Sequence, residues 1–133
     1  MALNVEVSVG ELLDKITILE IKAERITDAA KVANVRTELE SLRATWAASP
    51  LSARDITDLF ARLKAVNEEL WEIEDGIRRL EGLRSFGEEF VQLARSVYHR
   101  NDERAAIKRE LNRVLGSRLV EEKSYTDYRG GKA

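Results

Sequence analysis

Residues 56–80 read ITDLFARLKAVNEELWEIEDGIRRL, and this stretch decides the fold. Its apolar residues recur at alternating steps of three and four: Ile56, Leu59, Leu63, Val66, Leu70, Ile73, Ile77 and Leu80. Such steps place the side chains along one face of an α-helix, which is the a/d pattern of helices that pack along their length. Because one helix cannot bury this face alone, the flanking segments must provide partner helices.

The flanking segments have helical periodicity of their own. One apolar stripe covers residues 9–26, a second stripe with a shifted phase covers residues 32–46, and a third covers residues 86–114. No Gly or Pro lies near residues 27–28, so we interpret the phase shift as a kink, or a new helix start, inside one roughly collinear arm. We therefore predict an all-α, elongated antiparallel helical hairpin bundle of three long arms, the first of them kinked, with coiled-coil-like packing.

Three serines carry the signature of a helix start, because an acidic residue follows each of them three positions later. They are Ser8, Ser52 and Ser85, followed by Glu11, Asp55 and Glu88. Gly116 and Ser117 are typical of a helix end. We therefore expect a single helical domain over residues 1–117 and a mobile polar tail over residues 118–133.

The amino-acid composition limits where in the cell the protein is expected and which classes of molecule it is expected to bind. The chain of 133 residues has no cysteine, a net charge of −2 and no apolar run close to the roughly 18 residues of a membrane span. The first ten residues lack the features of a signal peptide. We expect a cytoplasmic protein with no membrane insertion, no nucleic-acid partner and no cofactor.

Two arginines interrupt the apolar stripe of the last helix. Arg100 and Arg104 occupy core-like positions, which is costly unless carboxylates pair with them. A turn near residues 84–85 places residues whose numbers sum to about 170 opposite each other, so the arginines face acidic partners on the preceding helix. Those partners are Glu68, Glu69 and Glu72. The first hypothesis is therefore a ladder of ion pairs that sets the helix register.

The second hypothesis is a pocket that presents these cations to an anionic small molecule. Its anion clamp is Arg100, Arg104 and Lys108, with Glu69 or Glu72 as an acid, a base or a metal ligand. The full candidate set is Arg100, Arg104, Lys108, Asn101, Asn112, Lys22, Arg25, Glu69 and Glu72. Acidic pairs suited to magnesium are clear on one helix alone, and no Glu precedes His99 by three residues, so we expect no metal site.

Two family resemblances accompany these patterns. The segment from Leu13-Asp14-Lys15-Ile16 to Arg25 resembles the first helix of the all-helical chorismate mutases, which implies a dicarboxylate held by arginines and a lysine between the helices of a dimer. On that alignment Arg36 falls where the family has a basic residue, but other functional positions fall at Ser8, Ala48 and Ser49.

The chain as a whole resembles a family of small, uncharacterised bacterial all-helical proteins. The resemblance rests on residues 9–20 (VGELLDKITILE), residues 67–75 (NEELWEIED) and residues 101–112. It implies a stand-alone helical domain without a known activity.

Slender helical arms leave the edges of their apolar stripes exposed, and this favours a homodimer. The leading hypothesis is therefore a non-catalytic interaction or oligomerisation module that acts on itself or on a protein partner through helix packing. The alternative is a small helical-bundle enzyme or binding protein for an anionic metabolite held between helices.

Overall fold

The computed structural model describes residues 1–129 of the chain, and helices make up most of that length. The helices are α1 (Val9–Arg25), α2 (Ala29–Ala48), α3 (Thr57–Gly82) and α4 (Glu88–Leu115), with a short 3₁₀ turn at Pro50–Ala53 between α2 and α3. Residues 1–129 contain no β-strand. The predicted all-α class is confirmed.

The first predicted arm is in fact an antiparallel hairpin of α1 and α2. Arg43 on α2 donates to Glu20 on α1 at 2.9 Å, although 23 residues separate them in the chain. A collinear helix would hold these residues roughly 35 Å apart. The prediction of three arms with a kinked first arm is therefore wrong. Ile26 and Asp28 take extended backbone angles, so the short link between the helices reverses the chain without Gly or Pro.

Helices α3 and α4 form the longest hairpin of the fold. Glu69 lies 2.6 Å from Arg100, and Glu89 lies 3.4 Å from Arg79, so the numbers of facing residues sum to about 170, as predicted. The stretch at residues 57–82 is one unbroken helix. The apolar seam of this stretch thus lies along α4 for its whole length.

Helix α1 occupies the centre of the bundle, because it packs against each of the other three helices. It runs antiparallel to α2 and to α4. Its buried residues cover most of its circumference: Gly10, Leu13, Asp14, Ile16, Thr17, Leu19 and Ile21. The apolar core joins α1 to Leu39, Leu63, Leu111 and their neighbours.

Only one of the three predicted capping serines caps an α-helix. Ser8 Oγ accepts a hydrogen bond from Glu11 N at 3.1 Å. α3 begins after Ile56 and α4 after Gly87, and neither residue makes a side-chain cap hydrogen bond. At the start of α3, Asp55 Oδ1 instead accepts a hydrogen bond from Thr57 N at 3.0 Å.

The segment after α4 turns back along that helix. Gly116 takes a left-handed conformation with φ of 67°, which favours glycine, and redirects the chain. Lys123 lies 3.2 Å from Asp102, and the ring of Tyr128 lies 4.7 Å from that of Tyr98. Mobility of residues 118–133 stays a prediction, and residues 130–133 lie outside the described part of the chain.

We predict that Gly10→Ala destabilises the protein. A Cβ atom at Gly10 would lie 2.6 Å from the Lys108 carbonyl oxygen, so α1 and α4 would have to separate. Overpacking of this kind costs about 1–3 kcal/mol, and the gain in helix propensity is about 1 kcal/mol at most. We expect a net loss of about 1–2 kcal/mol in the free energy of unfolding, measured with urea.

Gly82→Ala is the matched control, because a Cβ atom there meets nothing within 4 Å. We expect this variant to be unchanged or more stable by up to about 1 kcal/mol. Equal effects of the two substitutions would contradict the close approach of α1 and α4.

Candidate functional site

The most buried charged group of the described chain is the carboxylate of Asp14, whose side chain is 1% exposed. Arg104 on α4 donates from Nε to Asp14 Oδ1 at 2.9 Å and from Nη2 to Oδ2. This bidentate arrangement is the strongest geometry for an arginine–carboxylate pair. The hydrogen bonds to Asp14 raise the pKa of Arg104 above its usual value.

Helices α1 and α3 complete the shell around this pair. Asn67 on α3 donates from Nδ2 to Asp14 Oδ1 at 2.9 Å and to Thr17 Oγ1 at 2.8 Å. Thr17 Oγ1 in turn donates to the Asp14 carbonyl oxygen at 2.7 Å. Asp14 and Thr17 share a face because they lie three residues apart on α1. Three helices are thereby joined through one carboxylate.

Lys108 lies one turn beyond Arg104 on α4, and its side chain is 5% exposed. Its ammonium donates to Glu11 Oε2 at 2.7 Å and to Glu121 Oε1 at 3.0 Å, and it lies 3.8 Å from Asp14 Oδ2. Burial acts against the charge of Lys108. The hydrogen bonds to Glu11 and Glu121 outweigh burial, so the pKa of Lys108 is raised.

The next turn of α4 meets the first turn of α1. Gly10 N donates to Asn112 Oδ1 at 2.7 Å, and Val9 N donates to Ser117 Oγ at 3.3 Å. The amide Nδ2 of Asn112 is buried and has no hydrogen-bond partner in the described part of the chain. This end of the polar cluster therefore holds one unused donor.

The structure distributes the predicted site residues over three places. The buried cluster contains Arg104, Lys108 and Asn112. Arg100 pairs with Glu69 and with Glu103 outside the core.

The C-terminal end of α1 holds the other predicted cations. Arg25 pairs there with Glu72, and it lies 3.9 Å from Glu68. Lys22 is half-buried on the same helix. The predicted residues therefore do not form a single clamp.

The predicted ladder of ion pairs is right for Arg100 and wrong for Arg104. Arg100 meets Glu69 on α3, as the hairpin register requires. Arg104 turns toward α1 and binds Asp14. The physical reason is that α1 packs over this part of α4, where the half-buried Arg104 supplies hydrogen-bond donors to the fully buried Asp14 carboxylate.

Sequence reasoning missed the partners of the cluster: Glu11, Asp14, Thr17, Asn67 and Glu121. A signal for part of this set was present on α1. Gly10, Asp14 and Thr17 recur at steps of four and three, beside the apolar stripe. A second stripe of small and polar residues is typical of a helix with packing partners on more than one side. No sequence pattern pointed to Glu121.

A groove of about 280 Å³ opens beside the cluster, between α1, α3 and α4. Two of the predicted site residues, Asn101 and Arg104, contribute to its lining. Asn67 and Glu74 are the other polar contributors, and the apolar walls are Ile18, Ile21, Leu70, Trp71 and Val97. The groove combines apolar walls with polar groups, as small-molecule sites do.

Residues 1–129 contain no group of three or more acidic, histidine or cysteine side chains arranged to hold a metal ion. Among these residues, no helix combines the length and the apolar character that crossing a membrane requires.

We predict that the Asp14–Arg104 pair has a large effect on stability. Arg104→Met keeps much of the apolar stem and removes the charge, which leaves a buried carboxylate short of donors. Breaking a buried pair in this way costs about 3 kcal/mol or more. Adding Asp14→Asn should recover part of the loss, because it removes the uncompensated charge.

The measurement is the free energy of unfolding by urea for both single variants and the double variant. Arg113→Ala is the control, since its ion pair with Glu110 is exposed and screened by solvent, and we expect its free energy of unfolding to be nearly unchanged. Additive effects of Arg104→Met and Asp14→Asn would contradict the coupling.

Comparison with known proteins gives one family. The model of a family of unknown function, DUF6165, matches residues 3–129. No curated protein and no solved structure matches the chain. The resemblance of the first helix to the chorismate mutases thus has no support from these comparisons. The family model covers all four helices and the returning C-terminal segment, and the chain therefore belongs to DUF6165, a family of unknown function.

Proposed function

We propose that the protein is a non-catalytic oligomerisation module in which two copies pair through the outer part of the α3–α4 hairpin. We call this part, residues 73–97, the distal hairpin. The observation that carries the proposal is the incomplete burial of its apolar seam. Leu80 is buried, with 3% of its surface exposed, but five other apolar residues are only half-buried: Ile73, Ile77, Phe90, Leu93 and Val97.

The same seam is well buried at the other end of the hairpin. Leu63, Val66, Ile107 and Leu111 have 0–6% of their surface exposed, because α1 covers them. α1 ends at Arg25, opposite Glu72 of α3. α3 continues for ten more residues, which is about 15 Å of two-helix hairpin without a third helix.

The tip of the distal hairpin also exposes large apolar side chains. Leu83, Phe86 and Val91 have 68%, 53% and 43% of their surface exposed. Contiguous apolar surface of this kind marks interaction sites in proteins that are otherwise well folded. Two hairpins that cover each other's seams make a four-helix bundle, which is a common way to bury such surface.

The charges of the distal hairpin favour a second copy as the partner. The acidic residues are Glu74, Asp75, Glu81, Glu88 and Glu89, and the basic residues are Arg78, Arg79, Arg84 and Arg95. Five acidic and four basic groups nearly balance, so two identical surfaces do not repel each other. A two-fold axis brings residues away from the axis against different residues of the other copy, so arginines can face carboxylates there.

We predict that Leu83→Ser with Val91→Ser weakens self-association. Light scattering of the full chain should give a mass that approaches twice the 15.1 kDa of one chain as concentration rises. Burying two aliphatic side chains contributes about 3 kcal/mol or more. We therefore expect the dimer dissociation constant to rise at least about ten-fold in the double variant.

Leu3→Ser is the matched control, because Leu3 is 86% exposed and lies outside the hairpin. Its dissociation constant should equal that of the unchanged chain. Helix content by circular dichroism should be the same in all three proteins. A mass of one chain at every concentration, or equal weakening by the control, would contradict self-association through the distal hairpin.

The groove beside the cluster supports a second candidate, a binding protein for an anionic metabolite held between helices. The three cations of the predicted clamp, Arg100, Arg104 and Lys108, already have carboxylate partners, so a ligand must either displace a carboxylate or use the groove. Asn101 and Arg104 contribute to the groove beside apolar walls, which suits a ligand with one anionic end and one apolar end.

We predict that the anionic dye 1-anilinonaphthalene-8-sulfonate binds this groove with a stoichiometry of one per chain, as measured by energy transfer from tryptophan. Ile18→Glu places a carboxylate in the groove wall and should weaken binding at least about ten-fold. Lys15→Glu is the control, because Lys15 is exposed on the same helix and outside the groove. Unchanged binding in Ile18→Glu would rule out the groove as the site.

A further inference from the structure

The C-terminal segment covers the meeting point of α1 and α4 with two of its own polar groups. Glu121 contacts the buried ammonium of Lys108, and Ser117 Oγ accepts from Val9 N in the first turn of α1. Both groups come from residues beyond the end of α4 at Leu115. Ser117 is also held by a backbone hydrogen bond from its N to the Asn112 carbonyl oxygen at 2.8 Å, whereas the contact of Glu121 with Lys108 is made by side chains.

The fit of Glu121 to this place is incomplete. Glu121 Oε1 accepts from Lys108 Nζ at 3.0 Å, whereas Oε2 lies 2.9 Å from the same nitrogen without a well-directed hydrogen bond. Asn112 Nδ2, one turn along α4 from Lys108, has no partner although the residue is 3% exposed. The hydrogen bond from Gly10 N to Asn112 Oδ1 fixes the orientation of this amide, so the unused atom is a donor.

Displacement of Glu121 would free one donor, beside a second that is already unused and a third that Ser117 Oγ holds at 3.3 Å. The three are Lys108 Nζ, Asn112 Nδ2 and Val9 N. They belong to adjoining turns of α4 and to the N-terminus of α1, where the helix dipole favours an anion. A carboxylate has two oxygens with about four acceptor positions, so one carboxylate can satisfy more than one of these donors.

We propose that this place is a binding site for a carboxylate-bearing ligand, and that Glu121 occupies it within the same chain until such a ligand displaces it. The proposal is independent of self-association through the distal hairpin. It also goes beyond the groove proposed for an anionic metabolite, because the lining of that groove contains neither Lys108 nor Asn112.

The surrounding charge distinguishes a carboxylate from a phosphate. The cluster holds two cations and three carboxylates: Arg104, Lys108, Glu11, Asp14 and Glu121. Exchange of Glu121 for another carboxylate leaves the net charge of −1 unchanged. A phosphate dianion in the same place would make the net charge of the cluster −2. The added negative charge beside Glu11 and Asp14 is unfavourable at such short distances.

The test is an acetate titration of the full chain and of Glu121→Gln, followed by NMR at constant ionic strength with chloride as the balancing anion. The observed signals are the backbone amides of Val9 and Gly10 and the side-chain amide of Asn112. We expect saturable shifts in Glu121→Gln at acetate concentrations at least about ten-fold lower than in the unchanged chain, because the competing carboxylate is absent.

Glu122→Gln is the matched control, because Glu122 is the exposed neighbour of Glu121. It should respond to acetate as the unchanged chain does. Lys123→Met is an independent variant that keeps every group of the site and removes the ion pair with Asp102. Its acetate response should lie between those of the unchanged chain and Glu121→Gln, because the C-terminal segment is held less tightly.

Three results would overturn the proposal. The first is an acetate response in Glu121→Gln no stronger than in Glu122→Gln. The second is an equal response to chloride alone, and the third is tighter binding of inorganic phosphate than of acetate. The light-scattering and dye measurements report on other surfaces, so each proposal can fail without the others.

Discussion

A carboxylate with 1% of its side-chain surface exposed has lost nearly all of its hydration, and it stays charged only if donors replace the water. Asp14 obtains these donors from two other helices, because Arg104 lies on α4 and Asn67 on α3. Lys108 is close enough to add its charge. The relative positions of α1, α3 and α4 are therefore tied to the geometry of one ionised group, which apolar packing alone would leave free to slide.

The central position of α1 explains why a polar cluster forms there. A helix with packing partners on three sides must bury residues around most of its circumference, and its Gly10, Asp14 and Thr17 lie on the side toward α3 and α4. Gly10 permits the backbones of α1 and α4 to approach closely. Gly10 and Asp14 act at the same contact between α1 and α4, because the close approach that Gly10 permits brings Asp14 within reach of Arg104.

The two ends of the α3–α4 hairpin differ because α1 is shorter than its partners. Near Leu63 and Leu111 the seam lies beneath α1 and is fully buried, whereas beyond Glu72 its residues other than Leu80 are only half-buried. The covered end carries the buried charges and the returning C-terminal segment. The open end carries the exposed apolar tip. The carboxylate site at Lys108 and self-association are thus proposed for opposite ends of one molecule, whereas the groove reaches Glu74 and Val97 of the distal hairpin.

The sequence by itself determined the helical class, the unbroken helix at residues 57–82 and the register of α3 against α4, because apolar periodicity and the rise per residue depend only on the local chain. Tertiary structure alone decided the reversal at residues 26–28, since extended backbone angles there need no Gly or Pro. It also decided that Arg104 binds Asp14 rather than a glutamate on α3, and that Glu121 reaches Lys108. Asp14 and Arg104 are 90 positions apart in the chain, and Lys108 and Glu121 are 13 positions apart. Burial and side-chain direction determine which of several distant carboxylates a cation pairs with, and sequence periodicity does not encode either of them.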